Sequence, residues 1–259
     1  MEIAVCGTKV YYELSGAGEK KILLLHGWGC ETKLMRPVAE QLKGAQTLVI
    51  DFPGHGQSGR PPEPWGVPEY AACVRALLEK LDFLPCAVIA HSFGARVAIY
   101  LASEDDGLFT KLLLTGAAGV KKPATAESAK RTQQFKQLKG LCETARKMKI
   151  FGSLPDKAED ALRRKYGSAD YNALDAEMRK TFVKVISLDL TDRLEKVKQP
   201  TLLVFGDQDT ETPLWMAKVM EEKIPDAGLV VEPGTGHFAY LERNEKFLRI
   251  VRSFLVEGR

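Results

Sequence analysis

No apolar run in this 259-residue chain approaches the ~18 residues needed to cross a bilayer, so nothing marks a membrane protein. The start, MEIAVCGTKVYYELSG, carries an acid at position 2 and few apolar residues before Gly7. It therefore lacks the basic stretch and apolar centre of a secretory signal and reads as a first strand. Cysteine is sparse and odd in number. Cys6, Cys30, Cys73, Cys86 and Cys142 stand at wide, irregular spacing, with no C-x-x-C pair and no Cys/His cluster of metal-site type. Free thiols in a reducing cytoplasm are the simplest reading. Net charge is also small, +3 from 37 basic and 34 acidic residues, too little to argue for a nucleic-acid partner. The glycines of 54–59 fit neither G-x-x-x-x-G-K-[ST] nor G-x-G-x-x-G, so no nucleotide site is read there.

What is present is an alternation. KVYYEL (9–14), KILLLHG (21–27), TLVID (47–51), CAVIAH (86–91), TKLLLTG (110–116), PTLLVFGD (200–207) and AGLVVEP (227–233) read as strands. Most are continuous apolar runs of the kind buried on both faces of a parallel sheet. Helical spacing lies between them: Tyr70, Val74, Leu77, Leu78 and Leu81 recur at three- and four-residue steps, as do Phe247, Ile250, Val251 and Phe254 in 242–256. The pattern predicts an α/β fold with a mostly parallel central sheet flanked by helices.

The alternation breaks once, from Val120 to about Leu188, where no buried-strand pattern occurs. A loop of that length inside a compact domain is improbable, so an inserted helical cap is expected over 120–188 within a core of 1–119 and 189–259. Residues 121–180 carry 15 Lys and Arg against 8 Asp and Glu. That reads first as a solvated helical surface and second as a hint of an anionic substrate. Phe135, Leu138, Met148, Phe151, Tyr166 and Tyr171 could line a pocket, although helices need buried faces in any case.

One hydroxyl stands out. In VIAHSFGARVAIY (88–100), Ser92 follows a buried strand directly and precedes a helical run, among the small residues Ala90, Gly94 and Ala95. A strand turning at once into a helix strains its corner residue and projects that side chain above the sheet edge; a serine capping a helix is the plainer alternative. A hydroxyl is a weak nucleophile that needs a base, and the base needs an orienting acid. Of four histidines, His237 lies in the Gly-rich loop EPGTGHF between the last strand and the last helix. LLVFGDQDTETP ends a strand in two carboxylates, with Asp209 the choice for the acid and Asp207 a loop-stabilising alternative.

LLLHGWG (23–29), DFPGHGQSG (51–59), HSFGA (91–95), GDQD (206–209) and GTGHF (234–238) together resemble, in the same order, the motifs of the α/β-hydrolase superfamily. They span the chain outside the insertion, and HGWG is similar to that of small carboxylesterases. One departure is Ala90, which stands where the G-x-S-x-G pattern has its first glycine. The resemblance implies an α/β-hydrolase fold and a catalytic set of Ser92, Asp209 and His237 in the family's order. It further implies an oxyanion hole from the backbone N–H groups of Trp28 and Phe93, with the Trp28 side chain either lining the acyl side or packing. It gives His26, His91 and His55 structural duties, and sets the cap over the carboxyl edge of the sheet. The expected activity is hydrolysis of a small to medium carboxylic ester through an acyl-enzyme, without metal or cofactor, falling as His237 is protonated. Thioesterases, amidases including proline iminopeptidases, C–C bond hydrolases, acyltransferases and perhydrolases share the same triad. A slow-turnover receptor on the same fold is the rival from another class. The serine disfavours dehalogenase and epoxide-hydrolase relatives, which use an aspartate nucleophile.

Overall fold

Four neighbouring strands of the sheet each carry an apolar run of at least three residues, and that decides where they go. In the computed structural model, which describes residues 1–121, 123, 126–148 and 154–257, these are β3 (Lys20–Leu25), β5 (Cys86–His91), β6 (Phe109–Thr115) and β7 (Thr201–Gly206). Their side chains alternate between two separate cores. Leu23, Leu25, Val88, Ala90, Leu112, Leu114, Leu203 and Phe205 enter one, while Ile22, Leu24, Ala87, Ile89, Leu113 and Val204 enter the other. Burying one such Leu or Ile fully is worth about 1.5–3 kcal/mol, so neither face of the sheet can be left to water.

These strands pair in parallel with one another and with β4 (Ala45–Ile50) and β8 (Ala227–Glu232). The sheet has eight strands in the order β1-β2-β4-β3-β5-β6-β7-β8, mostly parallel, with β1 (Glu2–Val5) and β2 (Thr8–Gly16) antiparallel at one edge. The opening residues, expected as one strand, are thus a hairpin. Its turn is made by Cys6 and Gly7 at φ 48° and 76°, a left-handed geometry that glycine adopts freely and cysteine rarely.

Helices cover both faces. Helix α1 (Thr32–Ala39) and helix α9 (Asn244–Val251) close one core with Met35, Val38, Phe247, Leu248 and Val251. The other is closed by α2 (Val67–Lys80), α3 (Phe93–Glu104) and α8 (Leu214–Lys223) through Tyr70, Val74, Leu77, Val97, Ile99 and Met220. Strand order runs outward in opposite directions from β3 and β5. The crevice outside the carboxyl ends of those two strands is where such sheets bind ligands.

The chain divides into two units, Met1–Lys121 with Val183–Arg259, and Lys122–Phe182. The second unit is shorter than 120–188 at both ends, for a packing reason. Val120 and Val185 are buried in the core of the first unit, the Leu190 N–H donates to the Gly119 carbonyl at 2.9 Å, and Arg96 donates to the Leu188 carbonyl. Taken by itself, the second unit holds α4 (Ala126–Lys147), α5 (Leu154–Tyr166), α6 (Ala169–Ala173) and the first half of α7 (Ala176–Ser187). Arg146 on α4 donates to Asp156 at 2.8 Å and to Glu159 at 2.6 Å on α5. The Phe135 and Tyr166 rings stand 5.8 Å apart and those of Tyr171 and Phe182 6.4 Å apart. Leu138 and Met148 are exposed, and Phe151 lies outside the described residues. Among the described residues no helix is long and apolar enough to cross a membrane.

Candidate functional site

The loops that follow β3, β5, β6, β7 and β8 all leave the carboxyl ends of parallel strands, so one edge of the sheet collects the residues singled out above. Ser92 sits between β5 and α3 at φ 50°, ψ −107°, a conformation that costs a non-glycine residue about 1–3 kcal/mol. It stands at the N-cap position, yet its side chain makes no capping bond. Backbone contacts hold it instead: its N–H donates to the Thr115 carbonyl at 3.1 Å, and its carbonyl accepts from Arg96 and Ala118, each at 3.2 Å.

The small residues around it are needed for close approach. The Gly94 N–H donates to the His26 carbonyl at 3.1 Å, and a Cβ on Gly94 would stand 2.6 Å from the Leu25 carbonyl oxygen. A side chain there would drive α3 away from β3. Ala90, the departure from glycine, is fully buried within β5 and takes an ordinary strand position.

The β7 and β8 loops bring the carboxylate and the imidazole together. Asp209 Oδ2 lies 2.8 Å from His237 Nδ1. Asp209 also accepts at Oδ1 from the N–H groups of Glu211 and Thr212, both at 2.9 Å, and at Oδ2 from the Thr212 hydroxyl at 2.8 Å. Burial alone would push the Asp209 carboxyl up, but the bonds from His237 and Thr212 outweigh it and hold the group below the ordinary carboxylate value. An ionised carboxylate only accepts, so it assigns the proton to Nδ1 and leaves Nε2 with a lone pair. Asp207, the alternative, takes the Gly234 N–H at 2.7 Å and ties the two loops together. The loops can touch because Gly206 has no side chain: a Cβ there would stand 2.2 Å from the Thr235 carbonyl oxygen. Thr212 was not legible beforehand. Its only signal is a hydroxyl three residues beyond a loop carboxylate, a common turn pattern.

The other three histidines are buried. His26 Nε2 accepts from the Phe52 N–H at 3.0 Å, and its Nδ1–H donates to the Gly27 carbonyl at 2.7 Å. His91, next to Ser92 in the chain, donates from Nε2 to the His237 carbonyl at 3.1 Å, with the two rings 4.7 Å apart. The loop carrying the imidazole is thereby fastened to the strand that ends at the serine. His55 packs against Trp28, ring centroids 4.7 Å apart, and Trp28 also meets Phe93 at 5.3 Å. Burial pushes His26 down to about 4 and both His55 and His91 down to about 3. They stay neutral and act as fixed posts. His237 is the exception, with 15% of its side chain exposed.

Among the described residues, no group of three His, Cys, Asp or Glu is placed to hold a metal ion. Of the backbone donors expected beside Ser92, Phe93 opens α3, so its N–H has no acceptor within the helix and lies at the positive end of the helix dipole. Trp28 lies in the loop after β3, beside Gly29 at φ 71°.

A family model for the alpha/beta hydrolase family matches residues 22–250. The chain belongs to the alpha/beta hydrolase family. Within this family it is 30% identical over 261 residues to the pimeloyl-[acyl-carrier protein] methyl ester esterase of Neisseria meningitidis serogroup C, covering 92% of this chain and 94% of that protein. Among solved alpha/beta hydrolase structures, it superposes on an enzyme from a Medee basin deep-sea metagenome with a TM-score of 0.76 at 19% identity, over 100% of this chain and 98% of the other. It also superposes on Est816, described as an N-acyl homoserine lactone degrading enzyme, with a TM-score of 0.73 at 24% identity, over 98% and 100%. At these identities the two structures speak for the fold.

Proposed function

We propose that this alpha/beta hydrolase is a serine esterase that cleaves a small to medium carboxylic ester through an acyl-enzyme. The observation that carries the reading is the 2.8 Å contact between Asp209 Oδ2 and His237 Nδ1, made on the same sheet edge as a strained serine. His237 Nε2 takes the Ser92 hydroxyl proton as Oγ attacks the ester carbonyl, and Asp209 stabilises the imidazolium that forms. Negative charge then gathers on the former carbonyl oxygen, where the N–H groups of Trp28 and Phe93 receive it. His237 returns its proton to the leaving alcohol, and the acyl group stays on Ser92 Oγ. A water molecule activated by the same imidazole releases the acid. None of these steps requires a metal or an organic cofactor.

The esterase name of the Neisseria relative supports an ester over an amide or a carbon–carbon bond. The five cysteines form no disulfide, which agrees with a reducing, cytoplasmic setting.

The test is steady-state hydrolysis of p-nitrophenyl esters from acetate to decanoate, with Ser92→Ala alongside. Turnover that peaks at one acyl length and falls by at least ~10³-fold in Ser92→Ala supports the reading. Stoichiometric labelling by an acyl phosphonate without turnover would overturn it in favour of a ligand receptor, and undiminished turnover in Ser92→Ala would remove the serine mechanism.

A further inference from the structure

We infer that Thr212 is a positioning residue for the catalytic pair, one that fixes the tautomer of His237; the inference rests on the Ser92, His237 and Asp209 reading above. The Thr212 hydroxyl lies 2.8 Å from Asp209 Oδ2 and 3.2 Å from His237 Nδ1. Because Asp209 Oδ2 and His237 Nδ1 are themselves 2.8 Å apart, the three atoms form a closed triangle. Thr212 is 5% exposed and Asp209 is equally buried, so the bond between hydroxyl and carboxylate is buried.

A hydroxyl has one proton and two lone pairs. The carboxylate can only accept, so the Thr212 proton goes to Asp209 Oδ2, and toward His237 the hydroxyl oxygen can then only accept. That second contact exists only when Nδ1 carries a hydrogen, which leaves Nε2 as the free base needed at Ser92. With the proton on Nε2 instead, Nδ1 would present a lone pair to the carboxylate, and the hydroxyl could meet Nδ1 only by turning its proton away from Asp209 Oδ2. The hydroxyl therefore weighs against the unproductive tautomer twice, by holding the carboxylate in place and by sharing the Nδ1–H. The backbone duties are separate: the Thr212 and Glu211 N–H groups hold the other oxygen, Oδ1, and survive any side-chain change.

The test compares Thr212→Val, which keeps the shape and loses the hydroxyl, with Thr212→Ser, which keeps the hydroxyl, and with Ser92→Ala. The expected result for Thr212→Val is a fall in kcat of about tenfold or more, with KM within about twofold and Tm within a few degrees of wild type. That loss stays well short of the ~10⁴-fold that a fully inverted tautomer brings elsewhere. Thr212→Ser should recover kcat to within about threefold. Nitrogen NMR of the His237 ring should find Nδ1–H in wild type and a mixture of tautomers in Thr212→Val. Should the valine variant not fold, Thr212→Ala against Thr212→Ser carries the same contrast. Wild-type kcat in Thr212→Val, with Ser92→Ala inactive, would overturn the role of Thr212 and leave the esterase reading standing. An active Ser92→Ala would overturn both.

Discussion

Acid should begin to destabilise this protein before its carboxylates titrate, and the buried histidines set how steeply. His26, His55 and His91 are 0%, 7% and 1% exposed, and burial holds them at about 4, about 3 and about 3 against an ordinary value of 6.5. Between those values and 6.5 the unfolded chain binds protons that the folded chain refuses, so stability rises with pH through that window. Read downward, it is complete above about pH 7.5 and is lost as the pH falls through 6.5 toward 4. A pH of 5 lies about 1.5 units below the unfolded histidine value of 6.5, which costs about 2 kcal/mol for each ring that stays neutral when folded, or about 6 kcal/mol for the three. A domain with a total stability of about 5–15 kcal/mol would lose much of it. Asp209 contributes nothing in this window, because its lowered carboxyl adds stability that is lost only as the pH falls below the unfolded value of 3.8. The assay is urea unfolding at fixed ionic strength from pH 8 to pH 5, extrapolated to zero denaturant at each step. His91→Gln should remove about a third of the pH dependence. A wild-type loss of less than about 2 kcal/mol between pH 7.5 and 5 would refute the claim that these histidines are neutral because they are buried.

Three further substitutions test the site and its scaffold. Asp209→Asn can turn its amide toward Nδ1 and favour the wrong tautomer, so kcat for a p-nitrophenyl ester should fall by about 10³–10⁴-fold, while Asp207→Asn, which ties only the Gly234 N–H, should stay within about threefold. Equal activity in Asp209→Asn and wild type would remove the acid assignment. Gly94→Ala places a Cβ 2.6 Å from the Leu25 carbonyl oxygen and should lower stability by about 1–3 kcal/mol in denaturant unfolding. An unchanged midpoint would mean that α3 can move off β3 without penalty.

The parallel core was legible because β3, β5, β6 and β7 cannot be solvated on either face, and a run such as ILLL reports that directly. The hairpin at the start was not. Gly7 signals a turn, but its partner there is Cys6 at positive φ, a position that propensity gives to glycine or asparagine. The edges of the second unit were hidden for a different reason. Helix α7 runs through the division at 182/183 without interruption, and Val185 enters the core of the first unit on ordinary helical spacing, so no break in pattern marks the change. In the site, the choice between Asp207 and Asp209 turns on which carboxylate receives the Glu211 and Thr212 amides, a matter of loop conformation that two acids separated by one residue do not disclose.

The uses of the four histidines explain why so much structure surrounds the few atoms proposed to react. A strained serine and a loop-borne imidazole hold a common geometry only if their backbones cannot relax, and neutral imidazoles bridge backbone groups well because each offers one donor and one acceptor. His26 uses both, toward Gly27 and Phe52, and so braces the loop after β3 against the residue that follows β4 and Asp51. His91 spends its donor on the carbonyl of His237. These bonds need the uncharged ring with a fixed tautomer, and burial enforces that by making protonation expensive. His237 is the most exposed of the four, and only there does the proposed chemistry require a ring that gains and loses a proton. The acid lability predicted above follows from the same arrangement: the burial that keeps three rings neutral to hold the site is what the unfolded chain escapes when the pH falls.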